Sequence, residues 1–302
     1  MLIINILLPI FILILLGYFL KKIKFPHEDF WKYIDRFNYY ILFPSLLIYK
    51  LSTANIKNIQ NFDLIIVATL AILVLSILLI IYNKLFTMDN SSFTSFYQGS
   101  IRFNTYVFLA LVDGLFKDAG IVIAALLIAF MIPLLNLLSI SAFSYYIPNS
   151  KVTFFSFFRS IFSNPLILAC LFGAGLNILG LNLPNILLNT LSILSLAALP
   201  LGLLSVGVGL HLSNISSTKL ELFVSSIAKL IILPLLMLLI AKLFNLNSTY
   251  TSILVIFGAI PTATSAYILA KELGGDVKLI SSIISIQTIF SIITISIFLQ
   301  FI

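Results

Sequence analysis

Charge is scarce in this sequence: 302 residues include only 17 Lys or Arg and 10 Asp or Glu, while 61% are hydrophobic and the mean hydropathy is +1.18. A water-soluble chain of that length needs more polar side chains than this to cover its outside, so the bilayer must do the covering. One cysteine, Cys170, excludes an internal disulfide, and its place in an apolar run reads as packing. The two histidines, His27 and His211, fall far apart at predicted membrane edges, so no metal site is expected. Also missing are an HExxH zinc motif, a GxSxG elbow, a GxxxxGK[ST] phosphate loop and an aspartate pair within an apolar run. The chain therefore carries no signature of an enzyme or of a cofactor. Its +7 net charge is dispersed at the ends of apolar runs without interleaved aromatics, which excludes a nucleic-acid patch as the explanation.

What is present is a series of apolar runs, each about 20 residues long as a bilayer crossing requires. Ten spans are expected, near 2–20, 33–51, 63–83, 95–116, 120–146, 164–180, 187–211, 219–243, 250–271 and 278–301. Pro26, Asp89 to Ser92, Pro148 to Ser150, Pro184 and Gly274-Gly275 punctuate them. The first run lacks a basic leader and Lys21, Lys22 and Lys24 follow it, so it reads as a retained helix rather than a cleaved signal. Alternate connections with their span ends hold eleven Lys or Arg against four in the others. By the positive-inside rule this predicts a multi-pass protein of the cell membrane with both termini outside the cytoplasm.

An internal repeat is also expected. Pro9 and Pro165, Pro44 and Pro200, and Gly17 and Gly173 each differ by 156 residues, and Pro26 and Pro184 by 158. The fold class that follows is an all-α membrane protein of ten transmembrane helices in two inverted repeats of five, residues 1–150 and 151–302. Inverted repeats are common in secondary transporters, whose sites lie where helices break between the halves. Two runs carry such signals. Span nine contains Pro261, which removes a backbone donor, followed by Thr262 and Thr264. Span four carries Gln98, Gly99, Ser100, Arg102, Asn104 and Thr105, and the 156-residue offset sets Asn104-Thr105 opposite Ile260-Pro261.

Arg102 is the most informative of these residues. A guanidinium at the centre of a bilayer costs roughly 2.5–3.5 kcal/mol or more, and it stays charged. The acidic residues all fall at loops or span ends. Two readings follow: Arg102 is structural, snorkelling or binding backbone carbonyls, or its partner is an anion brought in as substrate. The positive end of a helix that restarts after a break is a natural seat for a carboxylate, with Asn104, Thr262 and Thr264 as neutral donors. Alternatively, the hydroxyls satisfy backbone groups freed by Pro261. Pro44 and Pro200, without charged neighbours, read as helix kinks in a scaffold, and Lys229 in span eight reads as a side chain leaning toward an interface.

Several segments together resemble the auxin efflux carrier family: LLPIFILILLGYFLKK from Leu7, NYYILFPSLLIYKLS from Asn38, the Arg102-Phe103-Asn104 element, NPLILACLFGAGLNILGLNLP from Asn164, LAALPLGLLSVGVGL from Leu196 and IPTATSAYILAKELGG from Ile260. The short connection between spans five and six resembles bacterial members. The resemblance implies transport of small organic anions, including dicarboxylates such as malonate or malate, and spans four and nine crossing at breaks around the substrate. It implies a scaffold and homodimer surface on spans one, two, six and seven, and a mobile bundle that moves as an elevator. Carried onto this chain, the site comprises Arg102, Asn104, Thr105, Pro261, Thr262 and Thr264. Phe103 departs from the small residue expected between the Arg and the Asn. A sodium-coupled symporter of the bile-acid type would need acidic ligands within spans four and nine, which are missing. A non-transporting sensor or scaffold would need an output domain.

Overall fold

The computed structural model describes residues 2–54, 62–148, 163–211 and 219–300, and these form an all-helical protein with no strand among the described residues. In chain order the helices are α1 (Leu2–Lys22), α2 (Glu28–Phe37), α3 (Phe43–Thr53), α4 (Asp63–Leu85), α5 (Asn90–Ile101), α6 (Thr105–Tyr146), α7 (Pro165–Ile178), α8 (Asn185–Val208), α9 (Lys219–Ile227), α10 (Leu233–Leu243), α11 (Ser248–Ala259), α12 (Ser265–Leu273) and α13 (Val277–Phe298). By length and composition six stretches among the described residues are apolar enough to cross a membrane: α1, α4, α8 and α13 singly, and α5 with α6 and α9 with α10 taken together. α7 and α11 are apolar but shorter. The helices are apolar on more than one face, as lipid contact requires. On α1, Leu7 and Ile14 are buried while Leu8 and Leu15 are about half exposed or more, at 49% and 59%.

Several boundaries differ from those expected. The polar segment Asp89 to Ser92, expected as a loop, opens α5: the Asp89 side chain accepts the Ser91 backbone N–H and caps the helix. Span four is split into α5 and the start of α6 by residues 102–104, and its second part runs on into span five within α6, with non-helical backbone at Lys117. Span nine is split into α11 and α12 by residues 260–264. Pro44 and Pro234 each sit just inside a helix that follows a π turn, at Asn38–Leu42 and Ala228–Ile232. A proline in an apolar run removes one ladder donor, and the widened turn lets Phe43 N–H and Leu233 N–H reach back five residues to the Asn38 and Ala228 carbonyls. Pro200 lies within the unbroken α8. Asn149, Ser150, Lys151, Arg159 and Lys57, used in the expectations on breakers and charge, lie outside the described residues.

The chain forms two compact units. The first comprises residues of Met1–Asn61, Leu109–Phe130 and Phe158–Gly209. Within it α1 packs on α8 through a reciprocal glycine contact: a Cβ on Gly17 would overlap the Leu204 carbonyl, and one on Gly207 would overlap that of Ile14. Asn38 Nδ2 donates to the Ala198 carbonyl at 3.2 Å, and Asn177 Nδ2 donates to the carbonyls of Leu51, Ser52 and Ala54 at the end of α3. Cys170 is buried, with Sγ 3.6 Å from the Ala125 carbonyl, and it packs as expected. The second unit comprises Phe62–Phe108, Met131–Phe157 and Leu210–Ile302. There α10 lies against α4 and α11, and α13 lies against α5. Gly258 permits the α10–α11 approach, since a Cβ there would come 2.8 Å from Pro234 Cα.

Candidate substrate site

Both breaks fall within the second unit, and they follow one pattern. α5 and α11 are each 12 residues long, starting at Asn90 and Ser248 and ending at Ile101 and Ala259, so both pairs of ends are 158 residues apart. The residue after each is extended in nearly the same way, Arg102 at φ −71°, ψ 161° and Ile260 at φ −69°, ψ 152°. Structurally, Asn104 therefore stands opposite Thr262, two residues from the partner that the 156-residue offset assigns. The two breaks have different causes. Ile260 precedes proline, which disfavours helical backbone. The first break holds no proline; Asn104 makes it by capping α6, its Oδ1 accepting the N–H groups of Tyr106 at 3.0 Å and Val107 at 3.2 Å.

The breaks touch directly. Asn104 N–H donates to the Pro261 carbonyl at 2.9 Å. Gln287, on α13, holds both: its Oε1 accepts the Thr262 N–H at 3.0 Å and its Nε2 donates to the Gly99 carbonyl at 3.0 Å. Gln98 Nε2 donates to the Ala266 carbonyl in the first turn of α12. Ser100 Oγ meets Ser225 Oγ of α9 at 3.0 Å. Phe103 is buried, its ring centroid 4.5 Å from that of Phe257 and 5.9 Å from that of Phe108. The large residue at this position thus packs behind the crossing.

Of the residues expected at the site, Asn104, Pro261 and Thr262 are buried at the crossing, while Arg102, Thr105 and Thr264 are half-buried beside it. Arg102 Nη2 donates to Ser265 Oγ at 3.3 Å, which puts the guanidinium at the start of α12. That start has no side-chain cap, Thr264 being the N-cap residue. Pro44 and Pro200 belong to the first unit and are not part of this cluster. Thr262 Oγ1 and Gln98 Oε1 are buried without a hydrogen-bond partner among the described residues. The Asn104 amide Nδ2 makes no hydrogen bond among the described residues.

Gln287, Ser225 and Phe257 were not anticipated. An amide in the middle of the final span, among smaller hydroxyl side chains, was the available signal for the first. Lys229 corrects the expectation of a lean toward an interface: it is fully buried, with Nζ 3.5 Å from the Phe257 carbonyl.

An all-helical, multi-pass membrane protein whose buried polar groups gather where two interrupted helices meet has the make-up of a membrane transporter. The membrane transport protein family model matches residues 2–299, and the chain belongs to that family. It is 25% identical over 308 aligned positions to an uncharacterized transporter of Methanocaldococcus jannaschii, covering 97% of this chain and 96% of the relative. The resemblance to the auxin efflux carriers, drawn from motifs, thus holds over nearly the whole length. A lipid bilayer and a transported solute are the partners this membership implies.

Proposed function

We propose that the protein is a secondary transporter of small organic anions, mono- or dicarboxylates, which bind at the crossing of α5–α6 with α11–α12. The observation that carries this reading is the convergence of Arg102 on the uncapped start of α12. A guanidinium and the positive end of a helix repel each other. An anion seated between them relieves that repulsion. A carboxylate seated there takes charge-assisted bonds from Arg102 and meets the positive end of α12. Asn104 Nδ2 and the hydroxyls of Thr105, Thr262 and Thr264 supply neutral donors around it, and Pro261 shapes the break that exposes them.

The same reading includes ten crossings in two inverted repeats, residues 1–150 and 151–302, supported by the matched lengths and endings of α5 and α11. It includes an elevator movement in which the second unit carries the crossing. Support for that comes from the division of the chain into two compact units, the first drawing on spans one, two, six and seven together with Leu109–Phe130 of spans four and five. Dimerisation through the first unit and termini outside the cytoplasm complete the proposal. The test is a thermal-shift screen of the detergent-purified protein against mono- and dicarboxylates and their neutral amides. Protection by carboxylates and none by the amides is the expected result; protection by amides alone contradicts an anion site.

A further inference from the structure

The two broken half-helices leave equivalent carbonyls without a partner, and the chain satisfies them differently. In α5 the last ladder bond runs from Arg102 N–H to Gln98, and in α11 it runs from Ile260 N–H to Ile256. The next carbonyls, Gly99 and Phe257, are again 158 residues apart and lose their helical donors, the second because Pro261 has no N–H. Gly99 receives the neutral amide of Gln287 at 3.0 Å. Phe257 receives the amine of Lys229 at 3.5 Å. A neutral donor therefore suffices for this role, as Gly99 demonstrates. Burying an amine that carries charge is far more costly than burying an amide.

Three features fix Lys229 where it is. It stands on the π turn Ala228–Ile232, which Pro234 imposes, and Gly258 lets the backbone around Pro234 come against α11. Its Nζ lies 5.9 Å from the centre of the Phe257 ring, whose other neighbours are Phe103 and Phe108. Among the described residues no acidic side chain pairs with it. The Phe257 carbonyl lies one helical turn before the break, at the negative end of α11, where a cation is favoured.

We propose that Lys229 is a specificity-determining residue: when protonated, its amine sets a positive charge on the negative end of α11, which makes the crossing selective for anions and favours dianions over monoanions. This rests on the anion-transport reading above. Across a separation of about 10 Å inside a protein, one charge changes affinity on the order of tenfold per substrate charge. Removing it therefore affects a dianion about twice as much, on a logarithmic scale, as a monoanion of the same shape.

The test compares malonate with malonamate, its singly charged amide analogue, in wild type, Lys229→Gln, Lys229→Met and Lys229→Arg, using full-length protein in proteoliposomes for KM and in detergent for melting. Lys229→Gln keeps a donor for Phe257 and removes only the charge. Expected are a KM for malonate raised about a hundredfold, a KM for malonamate raised about tenfold, recovery in Lys229→Arg, and melting temperatures of the Gln and Met variants at or above wild type. Equal loss for both anions makes Lys229 a structural cap only and overturns the proposal, as does an unchanged KM for malonate in the Gln variant. If neither anion is transported or bound by wild type, the anion reading itself fails and the proposal with it.

Discussion

At the scale of single residues, the proposed site separates folding from recognition at Asn104. Its Oδ1 caps α6 while its Nδ2 remains available to a ligand. Asn104→Asp keeps the capping oxygen and replaces the donor with a negative charge, so the melting temperature in detergent stays near that of wild type while protection by carboxylates disappears. Asn104→Ala loses the cap as well, at about 1 kcal/mol. Gln287 shows the opposite balance, with both ends of its amide committed to the breaks. Gln287→Leu leaves the Thr262 N–H and Gly99 carbonyl buried without those partners, and denaturation should show a loss of about 2 kcal/mol or more. Arg102 was legible from sequence because a charge in an apolar run is conspicuous. Phe103, Phe257 and Gln287 were not, since aromatics in apolar runs normally pack and an isolated amide does not reveal which helix ends it will reach across roughly 190 residues of sequence, from Gly99 to Gln287.

At the scale of helices, the sequence marks one of the two breaks plainly and the other faintly. Pro261 ends α11 by removing a donor and forcing Ile260 extended, a consequence of covalent geometry. The end of α5 depends on a side-chain cap and a tertiary bond from Asn104 to Pro261, and local sequence does not encode the latter. The proline-anchored offset of 156 misses the structural register of 158 because the second half carries two more residues between Pro200 and its break than the first half carries between Pro44 and its own. In the segment after Asp89, polar residues read as a loop, but a capped helix can begin with them. In the first unit the glycine contact between α1 and α8 is the clearest element-scale dependency. Gly207→Ala puts a methyl group against the Ile14 carbonyl and should lower stability by about 1–3 kcal/mol, measured as a fall in melting temperature in detergent. Gly17→Ala should act alike at Leu204, and the double variant should fall short of additive because one backbone shift relieves both contacts.

At the scale of the whole molecule, composition settled the most. Few charges and high hydropathy require a multi-pass membrane protein, and the family match places it among membrane transport proteins. Length and hydropathy alone mark six crossing stretches, because interruption shortens some apolar helices and continuity merges others. The ten-span reading treats α5–α6 and α11–α12 as pairs of half-helices, and that treatment also puts the polar residues in one place. An anion carried without a proton moves charge, so flux of a carboxylate through this protein should respond to an imposed membrane potential, with an interior-negative potential opposing uptake. Flux indifferent to potential would instead require a compensating cation in each cycle. The central claim, that the crossing binds and moves organic anions through Asn104 and its neighbours, is tested most directly by uptake of labelled malonate into proteoliposomes holding wild type or Asn104→Asp at matched amounts of folded protein. The account predicts saturable uptake by wild type and at least about a tenfold loss in the variant, and equal uptake by the two would contradict it.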